Sequence, residues 1–333
     1  MSVGVTLCTY NGAAHVDAQV ASLLRQRVPL DELIVADDGS TDGTLDRVRR
    51  HAAAAPAERR PALTVLEPAA ERLGVRGNVE RALAASTADV VLLADQDDVW
   101  HEDKVEAALT VLRDDPTAQV VGGNAVIWRP GTDDERGTTL FATLHVGERE
   151  LATLGGPDAF AAAVRRNVVP GMTMAIRREF LALALPLPPS WTHDGWLVTL
   201  AAARGVLRVD PTPRVDYRMH GSNVVGVARR TSAYYLRRLT DSPRTARRNV
   251  ARSEELLARL ALAQEPGEDP RLADAVRLAG AKLAFERARA AYPATRALRL
   301  PAVARQLASA RYARLSPNGA ADALRDLTLR GTV

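Results

Sequence analysis

A chain of 333 residues, 47% hydrophobic and 25% charged, is long enough for one large or two ordinary globular domains and leaves little room for extended disorder. Its formal charge of +4 is small for that length, so charge alone does not argue for nucleic-acid binding, and no nucleic-acid partner is expected. A single cysteine, Cys8, excludes an intrachain disulfide and a cysteine-built metal site, and its apolar surroundings read as buried core. Val3 to Cys8 is a β-rich run that ends in the turn signal Thr9-Tyr10-Asn11-Gly12. Val16, Val20, Leu23 and Leu24 then recur at helical spacing. Leu33 to Ala36 is a second strand, stopped by Asp37-Asp38-Gly39-Ser40-Thr41-Asp42-Gly43. Leu45 and Val48 mark the next helix, with Ser40 or Thr41 placed to cap it. Leu63 to Leu66 suggests a third strand and Val79 with Leu83 a third helix. Val90 to Ala94 is a fourth strand that breaks off at Asp95, and Val105, Leu109 and Leu112 share one face of the helix after it.

From Val120 the pattern is mixed. A strand from Val120 to Trp128 precedes a polar, Gly-rich stretch from Arg129 to Gly147. A helical segment (Ala159 to Val164), the loop Pro170-Gly171-Met172-Thr173-Met174, a helix starting near His193-Asp194-Gly195-Trp196 and a short strand from Val206 to Val209 follow. After Gly226 the composition turns to Arg, Ala and Leu, with the pairs Arg229-Arg230, Arg237-Arg238 and Arg247-Arg248 and no β-rich run, so the remainder is expected to be helical. Of the 44 basic residues only Lys104 and Lys282 are lysines. That bias fits the coding composition of a genome as readily as contact with phosphate or anionic lipid, which the planar arginine fork serves well. No apolar stretch is long enough to span a bilayer, and Met1-Ser2-Val3 lacks the charged lead of a signal peptide, so a cytoplasmic protein is expected.

Strands alternating with helices predict an α/β fold with a mainly parallel sheet covered on both faces. Ligands bind outside the carboxyl ends of such strands. The polar clusters that begin at Thr9, Asp37 and Asp95 each follow a strand end, so they are expected to converge on one edge. In Asp95-Gln96-Asp97-Asp98 neighbouring carboxylates repel, and a divalent cation resolves that conflict; Mg²⁺ or Mn²⁺ takes one or two protein carboxylates and fills its other positions with phosphate oxygens and water. The alternative is a solvated acidic turn capping the next helix. Asp37 to Asp42 likewise reads either as a capped acidic turn or as a carboxylate meeting a nucleobase N–H or a ribose hydroxyl.

Thr9-Tyr10-Asn11-Gly12, Asp37 to Asp42, Leu73-Gly74-Val75-Arg76-Gly77-Asn78 and Asp95-Gln96-Asp97-Asp98-Val99-Trp100 follow in an order and spacing that resembles the family 2 glycosyltransferases, which have the GT-A fold. Pro170 to Met174, His193-Asp194-Gly195-Trp196 and Tyr217-Arg218-Met219-His220-Gly221-Ser222-Asn223 extend the resemblance to the bacterial rhamnosyltransferase-like branch, over about Val3 to Val225. The resemblance implies that Thr9 and Tyr10 line the nucleotide pocket and that Asp38, or its neighbour Asp37, contacts the base or ribose. It implies that Asp95 faces the ribose and the metal-bound diphosphate, that Asp97 ligates the metal, and that His220 reaches the metal or diphosphate from the far side. Asp194 falls at the position of the general base. Where many members carry Glu-Asp, this chain has His193-Asp194, which leaves the base in place and weakens any role for position 193. Asp98, Asn78, Gly171 and Trp196 are further candidates, with Gly171 to Met174 bordering the acceptor side.

An inverting transfer needs a carboxylate across the sugar from the metal to take the acceptor proton, and Asp194 meets that need; on its own it reads rather as a first-turn acid favoured by the helix dipole. Neutral imidazole coordinates Mn²⁺, yet a lone histidine such as His220 is commonly structural. Trp100, Trp191 and Trp196 suit sugar stacking or core packing. The implied activity is hexosyl transfer, with rhamnose a candidate sugar, from a nucleoside diphosphate donor to a glycan or lipid-linked acceptor in polysaccharide or cell-wall synthesis. The implied cofactor is Mn²⁺ or Mg²⁺. A dehydrogenase is excluded by the missing Gly-x-Gly-x-x-Gly and a Walker-type hydrolase by its missing loop. A nucleotidyltransferase and a noncatalytic, transferase-like binding or scaffold protein remain as alternatives. The expected division is a transferase domain over 1–226 and a helical extension over 227–333. That extension is read as packing, as peripheral membrane contact or as a homodimer interface.

Overall fold

Apolar runs bounded by turn residues become the central strands of a sheet in the computed structural model, which describes residues 1–132, 135–220, 243–263, 269–293 and 295–328. Strand β1 (Val3–Thr9), β2 (Glu32–Asp37) and β4 (Val90–Asp95) are buried along most of their length, as strands covered on both faces must be, while β3 (Ala62–Val65) is the more exposed edge. Helices α1 (Val16–Leu24), α2 (Thr44–Ala54) and α3 (Gly74–Ala85) make the crossovers between them. Strand β5 (Val99–Trp100), α4 (Lys104–Asp114) and β6 (Val120–Trp128) follow. The chain continues through β7 (Thr138–Thr139), α5 (Leu140–Thr143), α6 (Glu148–Leu154), α7 (Ala159–Ala163), β8 (Ala175–Arg177), α8 (Leu181–Ala184), α9 (His193–Arg204) and β9 (Leu207–Arg218).

The sheet order is β3-β2-β1-β4-β8-β6-β9-β5, with β7 paired to β6. The long ladders, β3-β2-β1-β4 and β6-β9, are parallel. The antiparallel ones, made by β8, β5 and β7, span only two or three residue pairs each. All the long strands therefore deliver their carboxyl ends to the same side.

Three local expectations are corrected. Neither Ser40 nor Thr41 caps α2: Gly43 takes a left-handed φ of 86° at its start, and Asp42 accepts the Thr44 N–H instead. Strand β9 runs 12 residues to Arg218, well past Val209. Pro211 and Pro213 made that continuation unreadable, since proline cannot donate to a ladder. The sheet absorbs them with a bulge opposite Asn124, whose amide donates to the Pro211 carbonyl at 3.1 Å. The polar stretch after Arg129 also contains β7 and α5, the latter capped by Thr139. Trp100 and Trp196 are 2% and 0% exposed, and the Trp196 indole donates to the Ala184 carbonyl, so neither offers a face to a sugar.

The chain after β9 is helical, with α10 (Pro243–Leu262), α11 (Pro270–Ala290), α12 (Arg296–Ala308), α13 (Arg311–Leu315) and α14 (Ala320–Thr328). The expected boundary at 226, the Gly221-Ser222-Asn223 segment and the pairs Arg229-Arg230 and Arg237-Arg238 lie outside the described residues. Leu256 and Leu260 of α10 and Leu272, Ala275 and Ala279 of α11 belong to the same apolar cluster as Trp196, Leu197 and Leu200 of α9. The last three helices instead gather around a small cluster of Phe285, Val303, Tyr312, Leu315 and Ala323. Among the described residues no helix is long and apolar enough to cross a membrane. Because Leu260 is fully buried against the main core, Leu260→Ala should destabilise the whole protein by about 2–5 kcal/mol in urea unfolding. A cost below that range would mean that α10 is only loosely docked.

Candidate active site

Parallel register sets Thr9 beside Asp37 and Cys8 beside Asp95, which brings the polar segments after β1, β2 and β4 to one edge. Those segments are stitched together by hydrogen bonds. Tyr10 N donates to Gln96 Oε1 at 2.9 Å, and the Gln96 amide returns a bond to the Tyr10 carbonyl. Asn11, at a left-handed φ of 45°, donates its N–H to Ser40 Oγ and accepts from Thr41 N. Gly12 N and Ala13 N donate to Thr44 Oγ1 and Asp42 Oδ2. Any side chain at position 12 would collide with the Gln96 amide, so only glycine allows this approach. Asn78, buried on α3, donates to the Ala36 carbonyl at 2.8 Å and so ties the end of β2 to the helix behind it.

The acids at this edge fall into two groups. Asp37 accepts from Gly39 N, Ser40 N, Ser40 Oγ and Thr9 Oγ1, which fills all the acceptor positions of a carboxylate. Thr9 is 2% exposed and spends its hydroxyl on that bond, so it and Asp37 build the loop rather than open onto a pocket. Asp38 accepts from Leu73 N and Gly74 N at the start of α3, with Arg72 Nε at 3.5 Å. The same guanidinium lies 3.6 Å from the centre of the exposed Tyr10 ring. Asp98 is fully buried; one oxygen accepts the Arg218 N–H, fastening β9 to the loop after β4, and Oδ2 has no hydrogen-bond partner among the described residues. Burial pushes the Asp98 carboxyl well above the usual range and lowers its neighbour Lys104, stacked 3.5 Å over Trp100, to about 7.

The second group keeps oxygens free. Asp95 makes no hydrogen bond with any described residue; burial first and the nearby Asp97 second push it up to about 6, with Asp194 adding to and His193 opposing that rise. Asp97 Oδ2 meets His220 Nε2 at 2.8 Å, so the two residues paired by the resemblance are in direct contact. Asp194 sits in the first turn of α9, capped by Thr192; its Oδ1 accepts the Gly195 N–H at 2.7 Å, and Oδ2 has no partner among the described residues. The His193 ring occupies the space a side chain at Gly171 would need, which explains the glycine there and carries His193 toward Asp95. Cys8 lies below, its thiol pushed up by burial and by Asp95.

Sequence reasoning missed His15, whose ring stacks on His220 at 4.5 Å, and Arg218, whose Nε donates to the Asp97 carbonyl. It also missed Gln96 as the bridge to Tyr10. No spacing rule links His15 to His220; only the return of β9 to this edge does. Among the described residues no three carboxylate, imidazole or thiolate groups are gathered as a finished metal cage. Two carboxylates with free oxygens beside an imidazole nevertheless fit a hard divalent ion that draws its other ligands from phosphate and water. For Asp95 the folded chain holds a proton that the unfolded chain gives up near pH 4. Its contribution to stability is therefore complete below about pH 4 and lost as pH rises to about 6. The melting temperature of chelator-treated protein should fall across that window, and Asp95→Asn should flatten the fall. An identical slope in the variant would assign it to another group.

Comparison with known proteins bears on the fold and the family. An uncharacterized glycosyltransferase of Nostoc sp. is 26% identical over 234 residues, covering 67% of this chain and 66% of that protein, just under two thirds of its length. The dTDP-rhamnosyl transferase RfbG of Shigella flexneri is 24% identical over 241 residues, or 69% of this chain and 77% of that one. The crystal structure of S. aureus TarS 1–349 in complex with UDP matches with a TM-score of 0.55 at 14% identity, covering 98% of this chain and 90% of that chain. The fold is accordingly GT-A, with a C-terminal helical region. The model of glycosyl transferase family 2 matches residues 5–177, just over half of the 333 residues, and the chain belongs to that family.

Proposed function

We propose that this protein is an inverting glycosyltransferase that moves a sugar from a nucleoside diphosphate donor to an acceptor hydroxyl of a glycan or glycolipid. The observation that carries the reading is the division among the acids. Asp37 and Asp38 are bound by protein donors, and Asp98 is fully buried with one oxygen on the Arg218 N–H and the other unpartnered in the interior, whereas Asp95, Asp97 and Asp194 have oxygens at one edge that no described residue fills. In this reading Asp95 and Asp97, with His220, hold Mn²⁺ or Mg²⁺, which when bound neutralises the charge on the leaving diphosphate. Asp194 Oδ2 takes the proton of the acceptor hydroxyl as that oxygen attacks the anomeric carbon and the bond to the diphosphate breaks. Tyr10 and Asp38 face the nucleoside, whose base displaces Arg72 from the Tyr10 ring. The Shigella relative makes a dTDP-linked rhamnose the first donor to test. The chain divides its labour in this reading, with 1–226 recognising the donor and 227–333 serving as the helical extension.

Thermal melting with UDP, TDP and GDP, each with and without Mn²⁺, tests the donor site, because a ligand of the folded state raises the melting temperature. One diphosphate should give a Mn²⁺-dependent rise, and Asp97→Ala should abolish that dependence. Asp194→Asn should keep the rise and lose transfer by a factor of 100 or more, in the order-of-magnitude range of general-base catalysis. No rise with any diphosphate would favour a noncatalytic binding protein, and unchanged transfer by Asp194→Asn would remove it as the base.

The same reading takes the extension to an anionic lipid face. Residues 295–328 expose Arg305, Arg311 and Arg314 together with Leu298, Leu300 and Leu324, while Asp322 and Asp326 are held by Ser316, Asn318, Arg289 and Tyr312. Basic and apolar side chains without a free acid are the composition of an interfacial anchor. Full-length protein should float with phosphatidylglycerol-containing vesicles and not with phosphatidylcholine alone, and Leu298→Asp with Leu300→Asp should prevent flotation. Concentration-dependent dimerisation without flotation would assign the surface to a second copy.

A further inference from the structure

Arg252 of α10 reaches the proposed base from the C-terminal helices. Its guanidinium lies 4.7 Å from the centre of the Trp191 ring, and its carbonyl accepts the Trp191 indole N–H at 3.0 Å. Its Nη2 comes within 3.8 Å of the point where a Cβ on Gly195 would stand, directly after Asp194. Nε is buried without a hydrogen-bond partner, and no described residue gives the guanidinium an ion pair or a hydrogen bond. Arg248, one turn earlier, spends Nε on the Ser190 carbonyl and adds a second positive charge. Glu255 and Asp194 act on Arg252 only through space, and burial lowers its pKa from the ordinary arginine value.

A half-buried cation without a partner is costly, and stacking on an indole recovers only part of that cost. Seated against Trp191, the guanidinium makes no ion pair with Asp194, and its N–H groups have no acceptor among the described residues. A planar fork of donors matches the paired oxygens of a phosphate or carboxylate. With Asp194 as the base, a fork beside the first turn of α9 lies on the acceptor side.

We propose that Arg252, seated on Trp191, is an acceptor subsite for an anionic group, a phosphate or a sugar carboxylate, carried close to the hydroxyl that Asp194 deprotonates. The assignment of this subsite to the acceptor rests on Asp194 as the base. In this arrangement the anion fixes the acceptor at one end and the carboxylate receives its proton at the other.

The test is calorimetric titration of the full-length protein, saturated with Mn²⁺ and the diphosphate that raises its melting temperature, so that the donor phosphate site is already filled. Methyl phosphate and methyl glucuronide are titrated separately at constant ionic strength, with methyl glucoside as the neutral control. One of the anions should bind saturably, which separates the phosphate source from the carboxylate source, and the neutral glycoside should not. Arg252→Gln should weaken that binding by about 10- to 100-fold, the loss expected for a charge-assisted hydrogen-bond pair. Arg252→Lys, which keeps the charge and most of the packing, should recover part of it and serves if the glutamine variant does not fold. No saturable binding of either anion, or equal affinity in the folded Arg252 variants, would overturn the proposal. Asp194→Asn should bind the anion at least as tightly as the parent. If that variant also kept full transfer, the base assignment would fail while the anion measurement stood by itself.

Discussion

Repulsion between carboxylates crowded at the end of a parallel sheet is the constraint around which this protein is arranged. Three polar segments follow β1, β2 and β4, and the last two bring aspartates to an edge where water is scarce. The chain answers in two ways. At Asp37 and Asp38 it surrounds the carboxylates with backbone N–H groups and hydroxyls, so that their charge organises the loops. At Asp95 it supplies no donor, and the strain appears as a carboxyl pushed up to about 6. In the proposed reading a cation completes the edge, where Asp95 stands beside Asp97 and His220.

The legible parts of the fold were those where one physical signal acts alone. Val3 to Thr9, Glu32 to Asp37 and Val90 to Asp95 are short apolar runs between turn residues, and parallel pairing then forces their polar ends together. The full length of β9 was illegible because Pro211 and Pro213 break a ladder pattern that a bulge at Asn124 repairs from another strand. Trp196 was ambiguous because an indole suits a core and a sugar face equally, and only its complete burial decides between them. Asp37 shows the same limit within the candidate site, since no sequence pattern distinguishes a carboxylate saturated by its own loop from one left open. His15 and Arg252 were invisible for a different reason. Their positions depend on contacts with His220 and Trp191, far along the chain, and nothing local marks either residue.

The C-terminal helices are not a uniform appendage. Leu256 and Leu260 of α10 share the main core with α9, while the last three helices gather around Phe285 of α11 in a small separate core. The inner pair thus takes part in holding the first turn of α9, where Asp194 stands, and the outer helices are spared that duty.

The packing of α10 on α9 also sets an order of events during synthesis. The loops after β1, β2 and β4 come from the first hundred residues and stitch to one another through Asn11, Gln96 and Asp42, and β9 later adds Arg218 and His220. The turn bearing Asp194 gains its neighbour Arg252 and the apolar cover of Leu260 only when the chain beyond β9 has left the ribosome. A nascent chain can therefore join the loops of the sheet edge to one another before the turn that carries Asp194 has its final cover.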